Sequence, residues 1–164
     1  MENIDSLKNN EGEIEREDIK KIIPYEDPFL MIDKVTKLDK KTIIATKQVN
    51  QDEFWVKGHF VDFPIMPGAL IIEGFGQAAT LLLRYNIPDH QEKEILAYKI
   101  KKVTFSYPTL PGDNLRFEIK MGRKNEKGAV FKGKVFVNEK QCSEVKLILA
   151  IVDRKRFRNK FTKG

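Results

Sequence analysis

The longest run of apolar positions in the chain extends from Ala69 to Leu83, where only Glu73, Gln77 and Thr80 are polar. Apolar residues fall on every face of a helix drawn through this run, so the pattern predicts a helix buried in a core. We expect it to begin near Pro67, whose missing N–H group would have no partner in a first helical turn. A membrane span needs about 18 or more apolar residues with few charges, and this run is shorter and charged.

Alternating apolar and polar residues predict six β-strands around that helix. A hairpin precedes the helix, and four strands separated by polar turns follow it. The predicted ranges are 29–38, 42–49, 95–107, 114–122, 129–137 and 142–152. A short helix over 16–23 ends at Pro24. Tyr98, Phe105 and Tyr107 are interpreted as core residues, because aromatic residues on strands usually pack inside; the alternative is that they line or gate a tunnel.

These elements predict an α+β fold in which a curled antiparallel sheet of about six strands wraps one long buried helix. That arrangement is the hot-dog architecture, and its uncovered edge strands favour a dimer that extends the sheet. Residues 16–153 form the domain. Residues 1–15 are polar and predicted to be a flexible arm, and residues 154–164 are predicted to be a basic tail.

Composition narrows the function classes. The chain has 164 residues and a net charge of +6, which favours an acidic partner. Its one cysteine, Cys142, permits no internal disulfide or cysteine metal cluster, and with no apolar leader the expected location is the cytoplasm. The tail, Arg154 to Lys160, is too poor in aromatics to predict nucleic-acid binding. No phosphate loop, zinc spacing or nucleophile elbow occurs, and His90 lies in a polar loop where solvation is expected.

Two ionisable residues carry the candidate chemistry. Glu73 interrupts the apolar helix, and burial would favour the neutral, proton-donating form of its carboxyl group. His59 lies in an extended, proline-containing loop before the helix. Removing a proton beside a carbonyl and expelling a leaving group needs three parts. They are a base that exchanges protons near neutral pH, an acid, and free N–H groups such as those at a helix start. Gly74 and Gly76 each cost about 1 kcal/mol of helix propensity, which predicts close approach of the surrounding sheet.

A set of short segments around these two residues occurs in a specific order. They are Gly58-His59-Phe60, Pro64-Ile65-Met66-Pro67-Gly68, Leu70-Ile71-Ile72-Glu73 and Gln77-Ala78, with Pro28 to Asp33 upstream and Pro111-Gly112-Asp113 downstream. Together they resemble the signature of the β-hydroxyacyl-acyl carrier protein dehydratases of type II fatty acid synthesis. The resemblance spans about residues 20–152 and leaves the arm and the tail outside.

This resemblance implies a hydro-lyase that converts 3-hydroxyacyl-acyl carrier protein to the trans-2-enoyl form. His59 would take the α-proton, Glu73 of the partner subunit would help the hydroxyl leave, and the Gly68 N–H would polarise the thioester carbonyl. Gln77 would orient Glu73, and Phe63 would line the acyl tunnel. The implied partner is acyl carrier protein with its phosphopantetheine-linked substrate, and the implied assembly is a homodimer with shared sites, with a trimer of dimers left open. No metal or other cofactor is implied.

The chain departs from the family pattern in two places. In the loop after His59 it has Val61-Asp62-Phe63, where the family usually has Pro-Gly-Arg. Before Pro28 it has Tyr25-Glu26-Asp27, where the family often has His-Arg-Tyr. These changes bear on loop conformation and on the shape of the tunnel. Two alternatives stay open. The first is a hot-dog acyl thioesterase, against which the His-to-Glu spacing argues, and the second is a non-catalytic subunit that binds an acyl carrier or dimerises, which only the altered loop supports.

Overall fold

The structure, a computed structural model, describes residues 3–162 of the chain. Seven strands and three α-helices follow one another in the order strand, helix, two strands, helix, four strands, helix. The strands are β1 (Ile14–Glu15), β2 (Lys34–Leu38), β3 (Thr42–Gln48), β4 (Lys93–Phe105), β5 (Asn114–Asn125), β6 (Gly128–Val137) and β7 (Lys140–Asp153). The helices are α1 (Arg16–Ile22), α2 (Gly68–Tyr85) and α3 (Arg154–Phe161).

The strands form one antiparallel sheet in the order β1-β2-β3-β5-β6-β7-β4, and α2 lies against its concave face. Alternate strand residues point inward, as in Ile43 and Ala45 of β3 or Phe117 and Ile119 of β5. These inward side chains and the buried residues of α2 together form the core. Full burial of each large apolar side chain stabilises the folded state by about 1.5–3 kcal/mol. The predicted α+β architecture with one central helix is confirmed.

The predicted strands are all present, with two differences at the start of the chain. A seventh strand, β1, pairs with β2 through Ile14 and Val35. The first predicted strand begins only at Lys34, because residues 29–33 turn toward the helix instead of continuing the ladder. Pro67 is the residue before the first turn of α2, as expected from its missing N–H.

The N-terminal segment differs from the predicted flexible arm. A 3₁₀ turn at Ile4–Leu7 places Ile4 in the core, and Ile14 is fully buried. Asp5 accepts a hydrogen bond from the hydroxyl of Tyr85 at the end of α2. Isolated apolar residues within a polar segment are enough to dock it, which composition alone did not indicate. Residues 1 and 2 lie outside the described range.

The basic tail also has structure. Helix α3 follows β7 directly, with Asp153 as its N-cap, and Arg154 and Arg158 both contact the carboxylate of Glu94 on β4. Phe157 and Phe161 lie one helical turn apart with ring centroids 5.1 Å apart. The predicted tail is therefore helical through Phe161, and residues 163 and 164 lie outside the described range.

Strand β4 forms one edge of the sheet and pairs only with β7 among the described strands. Tyr98 is 73% exposed and Ile100 53%, and Phe105 and Tyr107 are also exposed. The interpretation of Tyr98, Phe105 and Tyr107 as core residues was wrong for the single chain, because no layer covers this edge. Across residues 3–162, no helix combines the length and apolar character needed to cross a bilayer.

Candidate active site

Glu73 lies in the amino-terminal half of α2, on a side of the helix that the sheet does not cover. Ala69 is exposed, and Ile72, Glu73 and Gly76 are half-buried. These four positions are spaced three and four residues apart and form one stripe, which we call the open stripe. The expected burial of Glu73 is therefore incomplete within one chain, because a stripe of α2 that read as apolar in sequence has no neighbouring layer.

The side chain of Gln77 holds the Glu73 carboxylate in place. Its amide nitrogen donates to Glu73 Oε1 over 3.0 Å and to the carbonyl of Phe29 over 2.8 Å. Its amide oxygen accepts from the Met31 N–H at 2.7 Å. Gln77 is fully buried, so these bonds fix its orientation and, through it, one oxygen of Glu73. The contact expected between Gln77 and Glu73 is present.

His59 lies in the loop between β3 and α2, and its ring is fixed by a backbone carbonyl. The Nδ1 atom is 2.7 Å from the carbonyl oxygen of Ile65. Because a carbonyl only accepts, Nδ1 carries the proton, and Nε2 is left with its lone pair free. The backbone of the same two residues also pairs, since the Ile65 N–H donates to the His59 carbonyl at 2.8 Å. In its neutral form the imidazole would therefore have Nε2 as the nitrogen that can accept a proton.

A buried ion pair anchors the other side of this loop. Lys47 on β3 contacts Glu53 over 2.7 Å, and both side chains are almost fully buried. The second oxygen of Glu53 accepts from the indole N–H of Trp55 at 3.1 Å. The Trp55 carbonyl then accepts from the backbone N–H of His59 at 3.0 Å. This chain of contacts connects the sheet to His59.

Sequence reasoning missed Lys47, Glu53 and Trp55 as part of the site. A signal was available, because Ile43, Ala45, Lys47 and Val49 share one face of a predicted strand. A lysine on that apolar face needs a buried carboxylate partner. The loop after β3 offers two acidic residues close in sequence, Asp52 and Glu53. Asp52 is exposed, which leaves Glu53 as the buried partner.

Gly68 begins α2 and lies under the ring of Phe105 at the end of β4. A Cβ atom at position 68 would approach the Phe105 ring to 2.7 Å, so the close packing requires glycine. Pro67 provides no side-chain cap, and the first N–H groups of α2 are therefore available to an acceptor. The positive end of the helix dipole adds to that preference for an oxygen with negative charge.

Within residues 3–162, His59 and Glu73 make no direct contact with each other. Between them, no hydrogen bond and no ion pair within 4.0 Å occurs in the described residues. Phe63 is 58% exposed in the loop after His59, together with exposed Phe60 and Val61. The His59 loop and the open stripe each present one half of the expected machinery.

His90, expected to be solvated, is instead only 6% exposed. It lies beside the buried Arg84, whose guanidinium donates to the His90 carbonyl. Burial lowers the pKa of His90 below its ordinary value, and the charges of Arg84 and Arg154 lower it further. The polar loop composition did not indicate that the histidine turns inward.

The wrapped helix and the single curled sheet define a hot-dog protein. A solved structure with this fold is "The Dehydratase Heterocomplex ApeI:P from Xenorhabdus doucetiae", which matches with a TM-score of 0.74 and 15% identity. The match covers 88% of this chain and 97% of that one, and at this identity it supports the fold alone.

Within that class, residues 23–146 match the family model described as the FabA-like domain, and the chain belongs to this family. A relative from Koribacter versatilis, named 3-hydroxyacyl-[acyl-carrier-protein] dehydratase FabZ, is 38% identical over 84% of this chain and 88% of its own length. A relative of the same name from Clostridium kluyveri is 34% identical over 84% of this chain and 96% of its own length. The predicted family is confirmed.

Proposed function

We propose that this protein is a hydro-lyase that dehydrates 3-hydroxyacyl-acyl carrier protein to the trans-2-enoyl form in fatty acid biosynthesis. The relatives named above support this reaction. The observation that carries it is that two proton-transfer groups are each held by their own hydrogen bond, His59 by the Ile65 carbonyl and Glu73 by Gln77. The buried, free thiol of Cys142 fits the proposed cytoplasmic location.

In the proposed reaction, Nε2 of His59 removes a proton from the carbon next to the thioester carbonyl. The electron pair of that C–H bond forms the new carbon–carbon double bond, while Glu73 donates a proton to the departing β-hydroxyl. The carbon–oxygen bond breaks and water leaves. The Gly68 N–H at the start of α2 binds the carbonyl oxygen as negative charge develops on it. Proton exchange with water then returns His59 and Glu73 to their starting forms.

We further propose that the active protein is a homodimer in which His59 of one subunit meets Glu73 of the partner subunit. Two uncovered features support this. The open stripe carries Glu73, and the edge of β4 leaves exposed Tyr98, Ile100 and Phe105 without a covering layer. Exposed apolar surface of this kind marks an interface, and pairing two β4 edges removes a long unpaired edge. Three such dimers could also assemble into a hexamer, and the mass of the particle in solution distinguishes a hexamer from a dimer.

The reaction is tested by monitoring the ultraviolet absorbance of a short enoyl thioester incubated with purified protein. Hydration and its reversal are expected, and release of free acid would indicate a thioesterase instead. His59→Ala and Glu73→Gln are each expected to lower turnover by at least about 100-fold, the usual scale for losing a general acid or base. Glu126→Gln, in an exposed turn, is the matched control and should keep full activity. Comparable activity in either site variant contradicts the mechanism.

The shared site is tested by mixing the two inactive variants. After random subunit exchange about half the dimers are mixed, and each mixed dimer holds one complete site of two, so about a quarter of wild-type activity should return. Native mass spectrometry verifies the exchange and reports the assembly size. Exchange without recovered activity would show that His59 and Glu73 act within one chain.

A further inference from the structure

A cavity of about 330 Å³ lies at the carboxyl end of α2, at the other end of the helix from Gly68. Its walls include Lys40, Arg84 and His90, together with apolar Ile4 and Ile87. Small-molecule sites start at about 300 Å³ and combine apolar walls with a few convergent polar groups. This cavity is separate from His59 and Glu73.

Arg84 is a buried cation with no bonded counter-charge. It is only 2% exposed, and no carboxylate within residues 3–162 lies within 4.0 Å of its guanidinium. Two terminal nitrogens donate to the carbonyls of His90 and Lys93, while Nε is buried without an acceptor. A buried charge is costly unless it is paired, and an arginine cannot lose its proton to avoid that cost.

The nearby acidic residue Glu94 is already in use. It contacts Arg154 at 3.3 Å and Arg158 at 2.6 Å, so one carboxylate serves the two arginines of α3. Burial lowers the pKa of Arg84, repulsion from Arg154 lowers it further, and attraction to Glu94 opposes them less strongly. Arg84 therefore lies in an environment that disfavours its charge.

The dipole of α2 favours a cation in its last turn, but the last carbonyls of the helix do not bond the Arg84 guanidinium, since other groups cap them. The Leu82 carbonyl accepts from the Asn86 side chain at 2.9 Å, and the Tyr85 carbonyl accepts from Lys40 at 3.1 Å. The Leu83 and Arg84 carbonyls accept from the backbone N–H groups that follow them. All four carbonyls that a helix end leaves open thus have donors without the Arg84 side chain.

Two further groups at the cavity have unused capacity. His90 is only 6% exposed, and its Nδ1 has no hydrogen-bond partner in the described chain. The Lys40 ammonium lies 4.3 Å from the centre of the Tyr85 ring and has no carboxylate within 4.0 Å in residues 3–162. Asp5, the acidic residue among the described wall residues, is paired with Lys8 at 2.7 Å, and this contact lowers the pKa of Asp5.

We propose that this cavity binds a small oxyanion, a phosphate or carboxylate group, between Arg84, Lys40 and His90. Arginine forms paired, charge-assisted hydrogen bonds with such groups, and lysine supplies a second positive charge. The apolar walls of Ile4 and Ile87 leave room for a short organic portion attached to the anion. The site does not depend on the proposed dehydratase activity.

The test uses nuclear magnetic resonance of the imidazole protons, because the chain has two histidines and the His59 signals report anion binding at the proposed active site separately. Inorganic phosphate, glycerol phosphate and acetate are titrated separately at constant ionic strength. Saturable shifts of the His90 signals are expected, and bound anion should raise the pKa of His90 toward its ordinary value of 6.5. The three titrations distinguish free phosphate, a phosphate ester and a carboxylate as the ligand.

Lys40→Met is expected to weaken binding by at least about 10-fold, the scale of one hydrogen bond to a charged group. Lys41→Met removes the neighbouring exposed lysine, which does not line the cavity, and should leave binding unchanged. Arg84→Met should abolish binding if it folds, and Lys40→Met decides the question if it does not. The proposal is overturned if no anion gives saturable His90 shifts, or if the two lysine variants weaken binding equally, which would indicate general charge screening.

Discussion

The two ends of α2 are built in opposite ways. At the carboxyl end, every residue from Gln77 to Arg84 is buried, and the sheet, the N-terminal turn and the His90 loop surround the helix. At the amino end, the open stripe containing Glu73 has no covering layer. A histidine accompanies each end: His90 is buried beside the last turn, and His59 is held by the Ile65 carbonyl in the loop before the first turn. The carboxyl end is enclosed by its own chain apart from the cavity beside Arg84, while the amino end leaves the open stripe uncovered in the described chain.

Two glycines in the same helix show this difference at atomic scale. A Cβ atom on Gly74 would lie 2.6 Å from the Phe117 ring of β5, whereas on Gly76 it would meet no atom within 4 Å. The predicted close approach of the sheet therefore holds for Gly74 only. Gly76 lies on the open stripe, where no described residue contacts the helix.

The largest expected effect comes from the ion pair that anchors the amino end. Glu53→Gln leaves the buried Lys47 without its counter-charge and should lower the free energy of unfolding by about 3–5 kcal/mol. Turnover should also fall, because the amide has one acceptor oxygen where the carboxylate uses two, one for Lys47 and one for the Trp55 N–H, and this weakens the support of the His59 loop. Urea denaturation and the enoyl thioester assay measure the two effects.

The control for Glu53→Gln is Glu144→Gln, whose partner Lys102 is 3.8 Å away with 57% of its side chain exposed. Because that pair is exposed, Glu144→Gln should lower the free energy of unfolding by less than about 1 kcal/mol. The double variant Lys47→Met with Glu53→Leu should regain stability without regaining turnover. A Glu53→Gln protein as stable and active as the control would remove the anchoring role.

An intermediate effect is expected at the two glycines. Gly74→Ala should lower the free energy of unfolding by about 1–3 kcal/mol, because the added methyl group must displace the buried Phe117 ring. Gly76→Ala should be neutral or gain up to about 1 kcal/mol from helix propensity. The midpoint of urea denaturation compares them. Equal losses for both variants would contradict the described difference between the two faces.

The smallest effect concerns pH at the carboxyl end. The pKa of His90 is lowered by burial, Arg84 and Arg154, with Asp89 acting in the opposite direction. At pH values between the two pKa values, His90 therefore binds a proton more readily in the unfolded chain than in the folded one. The contribution of neutral His90 to the free energy of unfolding is complete above its ordinary pKa of about 6.5 and is lost as pH falls through the folded-state pKa.

Urea denaturation of wild-type protein and His90→Gln at about pH 7.5 and about pH 5.5 isolates this contribution. The difference between the two proteins should be smaller at the lower pH. A difference that is the same at both pH values would contradict the lowered pKa.

Sequence was sufficient for the parts of the fold that depend on local periodicity. The run after Pro67 and the alternating strands predicted α2 and six of the seven strands of the sheet. It failed where single side chains decide the outcome. Ile4 and Ile14 dock a polar segment, and His90 enters the interior from a charged loop. Such contacts depend on which distant surfaces meet.

The candidate site divides in the same way. His59, Glu73 and Gln77 were identified from their order and spacing, and the contact between the last two is present. The anchoring pair, Lys47 and Glu53, was missed because its members belong to a strand and a loop that only the folded chain brings together. Burial of Glu73 was overestimated, since a sequence does not indicate which side of an apolar helix its own sheet leaves uncovered.

The position of β4 has a consequence for synthesis on the ribosome. β4 pairs with β7, joining Lys93 to Asp153 and Phe105 to Ser143, while β5 and β6 form hairpins with their immediate successors. Until the last strand leaves the exit tunnel, β4 has no partner from its own chain, and such long-range pairing slows folding. Its four lysines, Lys93, Lys99, Lys101 and Lys102, oppose premature association of nascent chains during that interval.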